Sequence, residues 1–275
     1  MGQILSIESD PKTSKSVEHG CLTAVQYLAH DKTSGFHVCY YATEACSREC
    51  LDYAGRGSMK PTQKARIKRT RFLFQHRAEY FLQVEHELES LIRQADRRKL
   101  IPVGRPNGTS DLPWERMPFT GKSGRRYDSI MERFPDGRDI IWMDYTKNPT
   151  RAREQPYNLT FSRAETADNQ AHALKLLDLG VNIAVVFGVP SRPDRFGRKK
   201  PLPKTWEGHT VIDGDVHDLR FLDPRNVVVG LRSKGKAVHD KTGFVIPVEF
   251  QIDEFGQEIA VVVSTTTLES AEQIK

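Results

Sequence analysis

Between residues 100 and 231 the chain repeats one pattern: a short β-type run, in several cases almost wholly apolar, then a stretch long enough to cross back over a sheet. The runs fall at 100–105, 139–145, 157–162, 181–187, 210–215 and 226–231. Segments such as Ile140-Ile141-Trp142-Met143 and Val227-Val228-Val229-Gly230-Leu231 show no alternation of polar and apolar residues. Strands without alternation are covered on both faces, as in parallel sheets. The connections are helical or irregular, and the clearest helix, 166–179, is closed by Gly180. No dinucleotide-binding glycine fingerprint accompanies the runs. The pattern predicts an α/β fold built as a parallel βα barrel or partial barrel.

The flanks add less regular pieces. Two short strands, 4–8 and 22–29, lead into a cysteine-bearing loop. A helical stretch over 61–99 follows, with Ile67, Phe74, Phe81, Leu88 and Leu91 recurring at helical intervals. Segments 244–251 and 258–264, joined by Asp253-Glu254-Phe255-Gly256, predict a terminal antiparallel hairpin. With neither a repeat nor a long low-complexity linker, the 275 residues are expected to form one domain. It divides into the strands and cysteine loop (1–58), the βα core (59–235), and the hairpin with its tail (236–275).

Cys39, Cys46 and Cys50 crowd into a C-x6-C-x3-C segment, and Cys21 stands apart. No secretory signal or span of transmembrane length is visible, so the expected compartment is the cytoplasm, where a disulfide framework is out of place. Clustered thiols there point to a metal or an iron–sulfur cluster; the alternative is ordinary buried thiols. A closed zinc site takes four protein ligands, whereas a cluster on three thiolates leaves one iron open.

In a βα barrel the working groups stand at the carboxyl ends of the strands. Those positions carry Asn107, Thr109 and Asp111, then Asp144 and Lys147, Ser162 and Arg163, Asp213 and Asp215, and Arg232. Asp144, Lys147 and Asp215 are the candidate catalytic groups. Asn107, Thr109, Asp111, Ser162, Arg163, Asp213 and Arg232 are the candidate cofactor-binding groups. Open alternatives accompany several of them. Asp144 and Lys147 read equally as an ion pair, Asp213-Gly214-Asp215 as a turn, and Ser162 with Glu165 as a cap on the next helix.

The net charge is +5, unevenly spread. From Lys60 to Arg77 there are seven basic residues and no acid, and 192–204 is a second basic stretch rich in proline and glycine. Lys60, Lys64, Lys68 and Arg71 are the candidate phosphate contacts for nucleic acid, against the plainer reading of a solvated helix face.

The chain also resembles a known family. The cysteine loop leading to Ala54-Gly55-Arg56-Gly57, Gln63-Lys64-Ala65-Arg66-Ile67, and Asn107-Gly108-Thr109-Ser110-Asp111 with Pro113-Trp114-Glu115 carry the resemblance. Further on it is carried by Asp144-Tyr145-Thr146-Lys147, Val211-Ile212-Asp213-Gly214-Asp215 and Arg220-Phe221-Leu222-Asp223-Pro224. These look like the phage- and plasmid-borne gene-product-eighty-eight family, which implies a protein of a bacterial mobile element. More distantly, a three-cysteine loop near the start of a partial barrel resembles the layout of radical S-adenosylmethionine enzymes. The spacing departs from the usual C-x3-C-x2-C. That likeness implies a [4Fe–4S] cluster on Cys39, Cys46 and Cys50, with S-adenosylmethionine held by the polar strand ends. The expected function is therefore an iron–sulfur protein acting on a small-molecule or nucleotide ligand. The alternative is a metal-stabilised nucleic-acid-binding or replication-associated protein.

Overall fold

The computed structural model describes residues 2–8 and 11–263. In chain order the strands are β1 (Leu5–Ile7), β2 (Cys21–Gln26), β3 (Ile101–Arg105), β4 (Phe119–Thr120), β5 (Arg126–Tyr127), β6 (Ile141–Thr146), β7 (Asn158–Ser162), β8 (Ile183–Pro190), β9 (Thr205–Trp206), β10 (His209–Asp213), β11 (Val228–Ser233), β12 (Val245–Ile246), β13 (Val248–Ile252) and β14 (Glu258–Val262). The α-helices are α1 (Pro11–Ser16), α2 (Glu44–Arg48), α3 (Lys60–Gln75), α4 (Arg77–Arg98), α5 (Ile130–Arg133), α6 (Pro149–Glu154) and α7 (Ala167–Asp178).

A ten-stranded sheet organises them in the order β1-β2-β3-β6-β7-β8-β11-β10-β9, with β12 also beside β8. Each of the apolar runs is a strand of this sheet. From β2 through β10 every neighbour is parallel, and only the edge strands β1 and β9 run the other way. The first six of these parallel strands, β2, β3, β6, β7, β8 and β11, stand side by side in chain order. The fold is therefore mixed α/β around a large, mostly parallel sheet.

Two features depart from a barrel with strands in strict succession. Among the described residues no pairing joins β1 to β9, so the sheet is open. β11 also lies between β8 and β10 instead of beyond β10. Asn182 helps to place it there: its side chain accepts from Val227 N at 3.2 Å and donates to the Pro224 carbonyl at 2.7 Å, seating the start of β11 beside β8.

The helical stretch over 61–99 forms two helices, because His76 leaves helical geometry at φ −134°, ψ 54°. With neither proline nor glycine at the break, the apolar periodicity runs straight through it. α4 packs on β2 and β3, burying Tyr80, Phe81, Val84, Leu88, Leu91 and Ala95. α7 packs on β7 and β8, with Thr166 as its N-cap. Its chain reverses at Gly180, whose φ of +81° suits a residue without a side chain. β13 and β14 pair as the expected antiparallel hairpin, but Val245 and Ile246 leave it and join β8 in parallel. The hairpin's expected last residue, Ser264, and the tail beyond it lie outside the described residues. No helix among the described residues is long and apolar enough to cross a membrane.

Candidate functional site

The carboxyl ends of the parallel strands open on a cavity of about 260 Å³. β2 ends at Gln26, and the chain runs directly into the cysteine segment, which forms one wall with Cys39, Ala42, Cys46, Glu49 and Cys50. The other walls come from residues 107–111 after β3, Lys147 after β6, Ser162 at the end of β7, Ala184 and Val186 in β8, and Leu231 and Arg232 in β11. Phe244, just before β12, completes the apolar lining.

The cysteine segment is held from several sides. Thr43 caps α2, its hydroxyl accepting from Cys46 N at 3.2 Å. Glu165 reaches across from the end of β7: it accepts from the Thr43 hydroxyl at 2.7 Å and from Ala45 N at 3.0 Å. Past Cys50, buried Asp52 accepts from Arg66 and pairs with His30 at 3.0 Å. Burial alone would raise that carboxyl, but hydrogen bonds from His30 and Arg66 outweigh it and hold it below the usual carboxylate range.

The thiols are reduced, and burial pushes all three upward, Cys50 to about 12. For Cys46 the Lys147 ammonium opposes the rise, while Glu165 and Asp111 add to it. At neutral pH these are neutral thiols, which a soft cation would have to deprotonate on binding. Among the described residues no group of three or more His, Cys, Asp or Glu is arranged to hold a single metal ion. Cys21 opens β2, at the opposite end of the strand from the cavity.

Hydrogen bonding sorts the polar strand-end residues. Asn107 lines the cavity but is the hub of its own loop. Its amide donates to the Leu112 carbonyl and to Asp144, each at 3.0 Å. Its oxygen accepts from Ser110 at 2.8 Å, Leu112 N at 2.9 Å and the Trp114 indole at 3.1 Å. Thr109 donates to the Leu28 carbonyl at 2.5 Å. Asp111 accepts from Arg151 at 2.6 Å, Lys147 N at 2.8 Å and Thr146 at 3.1 Å. Lys147 points its ammonium at the Ser162 hydroxyl, 2.7 Å, and at the carbonyls of Ser162 and Arg163. Its three protons are thereby occupied.

Asp144, Arg163, Asp213 and Asp215 stand behind the cavity wall instead of in it. Asp144 is buried beneath the 107–111 loop, accepting from Asn107 N at 3.0 Å with Arg105 Nε 3.7 Å away. Burial raises its carboxyl to about 7, against the opposing charges of Arg105 and Arg151. Arg163 donates to the carbonyls of Gly243 and Phe244 and so fixes the Phe244 wall. Asp213 accepts from Arg232 at 2.8 and 2.9 Å, and Asp215 pairs with Lys234 and accepts from Arg232 N at 3.1 Å. The two carboxylates thus brace a cationic wall. The Asp213-Gly214-Asp215 segment is also a turn of sorts, with Asp215 N bonded to the Asp213 side chain at 2.9 Å.

The Gene product 88 family matches residues 5–247. This chain is a member of that family. The matched region of Gene product 88 runs from β1 through β12, so it contains the whole cavity, and it stops where the β13–β14 hairpin begins. No curated protein and no solved structure matches the chain. Within the family region, Glu49 and Phe244 line the cavity without having stood out in the sequence. The N-cap of α7 is Thr166, which leaves Glu165 free to hold the cysteine helix. The signal for Phe244 was the proline at 247, which separates it from the hairpin.

Proposed function

We propose that the cavity holds an iron–sulfur cluster on Cys39, Cys46 and Cys50, facing a small-molecule ligand at the strand ends. The observation that carries this reading is that three cysteines close in sequence line the same cavity as the ends of β3, β6, β7 and β11. The donor set fits. Each thiolate of a cluster binds a different iron, so the thiols need to surround a space instead of meeting at one point. That agrees with cysteines that line a cavity without forming a single-ion site.

When bound, a [4Fe–4S] cluster with one open iron supplies an electron and a coordination position to the ligand. The protein's own residues do the rest. Arg105, Arg232 and Lys234 line the cavity as ion pairs with Asp218, Asp213 and Asp215, and offer N–H donors to a polar ligand group. Ala184, Val186, Leu231 and Phe244 keep water from the ligand's apolar side. Glu165 and Thr43 hold the cysteine helix against the end of β7. S-adenosylmethionine is the candidate ligand, by the likeness of layout: six parallel strands in succession, with the cysteine segment directly after the first. The same succession supports a partial barrel as the finer description of the open sheet.

Protein purified without oxygen is expected to be brown and to contain iron and acid-labile sulfide. Cys39→Ala, Cys46→Ala and Cys50→Ala should each abolish the visible absorption, and Cys21→Ala should leave it. Colourless protein carrying zinc or no metal overturns the proposal. So does a cluster that depends equally on Cys21.

A further inference from the structure

α3 carries no acidic residue over its sixteen positions, and its basic residues divide into two groups. Arg66 pairs with buried Asp52, Arg69 donates to the Tyr27 carbonyl at 2.6 Å, and Arg71 donates to the Ser34 carbonyl at 3.0 Å. These arginines fasten the helix to the chain just after β2 and to both sides of the cysteine segment. Lys60, Lys64 and Lys68 do something else. They are exposed, four residues apart and therefore on one face, and among the described residues they have neither a hydrogen bond nor an ion pair. Some exposed cations elsewhere do pair with carboxylates, Arg98 with Glu8 at 2.6 Å and Arg116 with Glu154 at 2.5 Å, while others such as Lys175 and Lys204 have no ion pair among the described residues; what sets the α3 lysines apart is their row on one helix face.

The C-terminal end of the same helix is joined to the cysteine segment by aromatic contacts. Beside the Arg71–Ser34 bond, Phe74 of α3 stacks on Phe36 with ring centres 4.6 Å apart. The next residue, His37, packs edge-on against Tyr40 at 4.7 Å. Tyr40 and Tyr41 follow cavity-lining Cys39 directly and are 60% and 48% exposed. Exposed tyrosines and a row of unpaired lysines are the two components of single-strand recognition: cations for the phosphates and aromatic faces for unstacked bases. We infer that this surface binds a single-stranded nucleic acid, its phosphates along Lys60, Lys64 and Lys68 and its bases on Tyr40 and Tyr41, so that one nucleotide is presented to the cavity. Enzymes that act on a base take it out of its stack into such a pocket, and the cavity's apolar side, Ala184, Val186, Leu231 and Phe244, suits a base face. The inference names the substrate class of the proposed site, yet the binding surface contains no cluster ligand.

Binding of a short fluorescent oligothymidylate to the full-length protein, titrated against salt, tests it. Binding is expected to weaken steeply with salt. Replacing Lys60, Lys64 and Lys68 together by Ala should flatten the log–log slope by about 0.7 for each lost phosphate contact, about two units in all. Replacing Tyr40 and Tyr41 by Ala should weaken binding about tenfold or more and leave the slope unchanged. Absence of binding at low salt overturns the inference. So does equal binding of a duplex or of polyglutamate, or a tyrosine double variant with unaltered affinity. Iron content measured on the same preparations separates the two readings. Colourless protein that still shows the salt and tyrosine dependence keeps the nucleic-acid surface and ends the cluster proposal. Brown protein indifferent to the oligonucleotide does the reverse.

Discussion

Glu165 and Thr43 lie 122 positions apart, yet the Thr43 hydroxyl donates to the Glu165 carboxylate at 2.7 Å. The same carboxylate accepts Ala45 N at 3.0 Å, and Thr43 in turn accepts Cys46 N at 3.2 Å. The helix that carries Cys46 is thereby tied to the loop after β7, on the far side of the cavity from its own strand. A short helix of this kind has little stability of its own, so such contacts decide where its cysteine sits.

Glu165→Ala and Thr43→Ala should each destabilise the protein by about 1–2 kcal/mol, and the double variant by clearly less than the sum. Denaturant unfolding of the four proteins in this cycle measures the coupling. Strict additivity means the two side chains do not act together.

Asp144 sets a pH dependence. Its carboxyl lies at about 7 in the fold against 3.8 as the ordinary value, so the folded chain holds a proton that the unfolded chain has released between those values. Stability from this group is therefore complete below about pH 4 and is lost as pH rises toward about 7. Asp144→Asn keeps an acceptor for Asn107 N and removes the titration. The fall in Tm between pH 5 and pH 8 should be smaller in this variant than in the wild type; an equal fall assigns the dependence to other groups.

At Gly108 a β-carbon would come within 2.7 Å of the Gln26 carbonyl, the Tyr27 ring and the Val25 side chain. A backbone oxygen does not yield as a side chain does. Gly108→Ala should cost about 1–3 kcal/mol by crowding, and calorimetry is the measurement. A change within error would mean that the 107–111 loop shifts freely off β2.

Asn107 offers a sharper comparison. Asn107→Ala leaves Leu112 N and the Trp114 indole without their acceptor in a buried place, at about 1–3 kcal/mol for each group. Asn107→Asp restores the acceptor and sets a second carboxylate against Asp144. The Asp variant should approach wild-type stability at pH 4 and fall below the Ala variant at pH 8. Unfolding at both pH values tests the crossing, and parallel losses would place the main function of Asn107 elsewhere.

The strands were legible because burial on both faces leaves an apolar mark that needs no knowledge of partners. The meeting of Asn107, Lys147, Ser162 and Arg232 with the cysteines was legible for a related reason: strand ends in a parallel sheet point the same way. What each polar residue does there was not legible. An asparagine in a loop reads alike whether it meets a ligand or, like Asn107, ties down its own loop. The position of β11 was hidden because it depends on contacts such as those of Asn182, 45 positions away from Val227. The break at His76 was hidden because no residue there forbids helix. For Glu165 the sequence leaves two roles open, a cap on the neighbouring helix or a strand-end group near the cysteines, and only its contacts with Thr43 and Ala45 choose the second.

The Phe244 wall has a kinetic consequence. It is held by Arg163 through the Gly243 and Phe244 carbonyls, and by a β12 that pairs with β8 over only two residues. The walls on β6, β7, β8 and β11 belong to the continuous sheet and open only with it. The short segment opens by breaking a handful of bonds, a sub-global event far more frequent than unfolding. Of the cavity's walls, the Phe244 side is therefore the one set to move first.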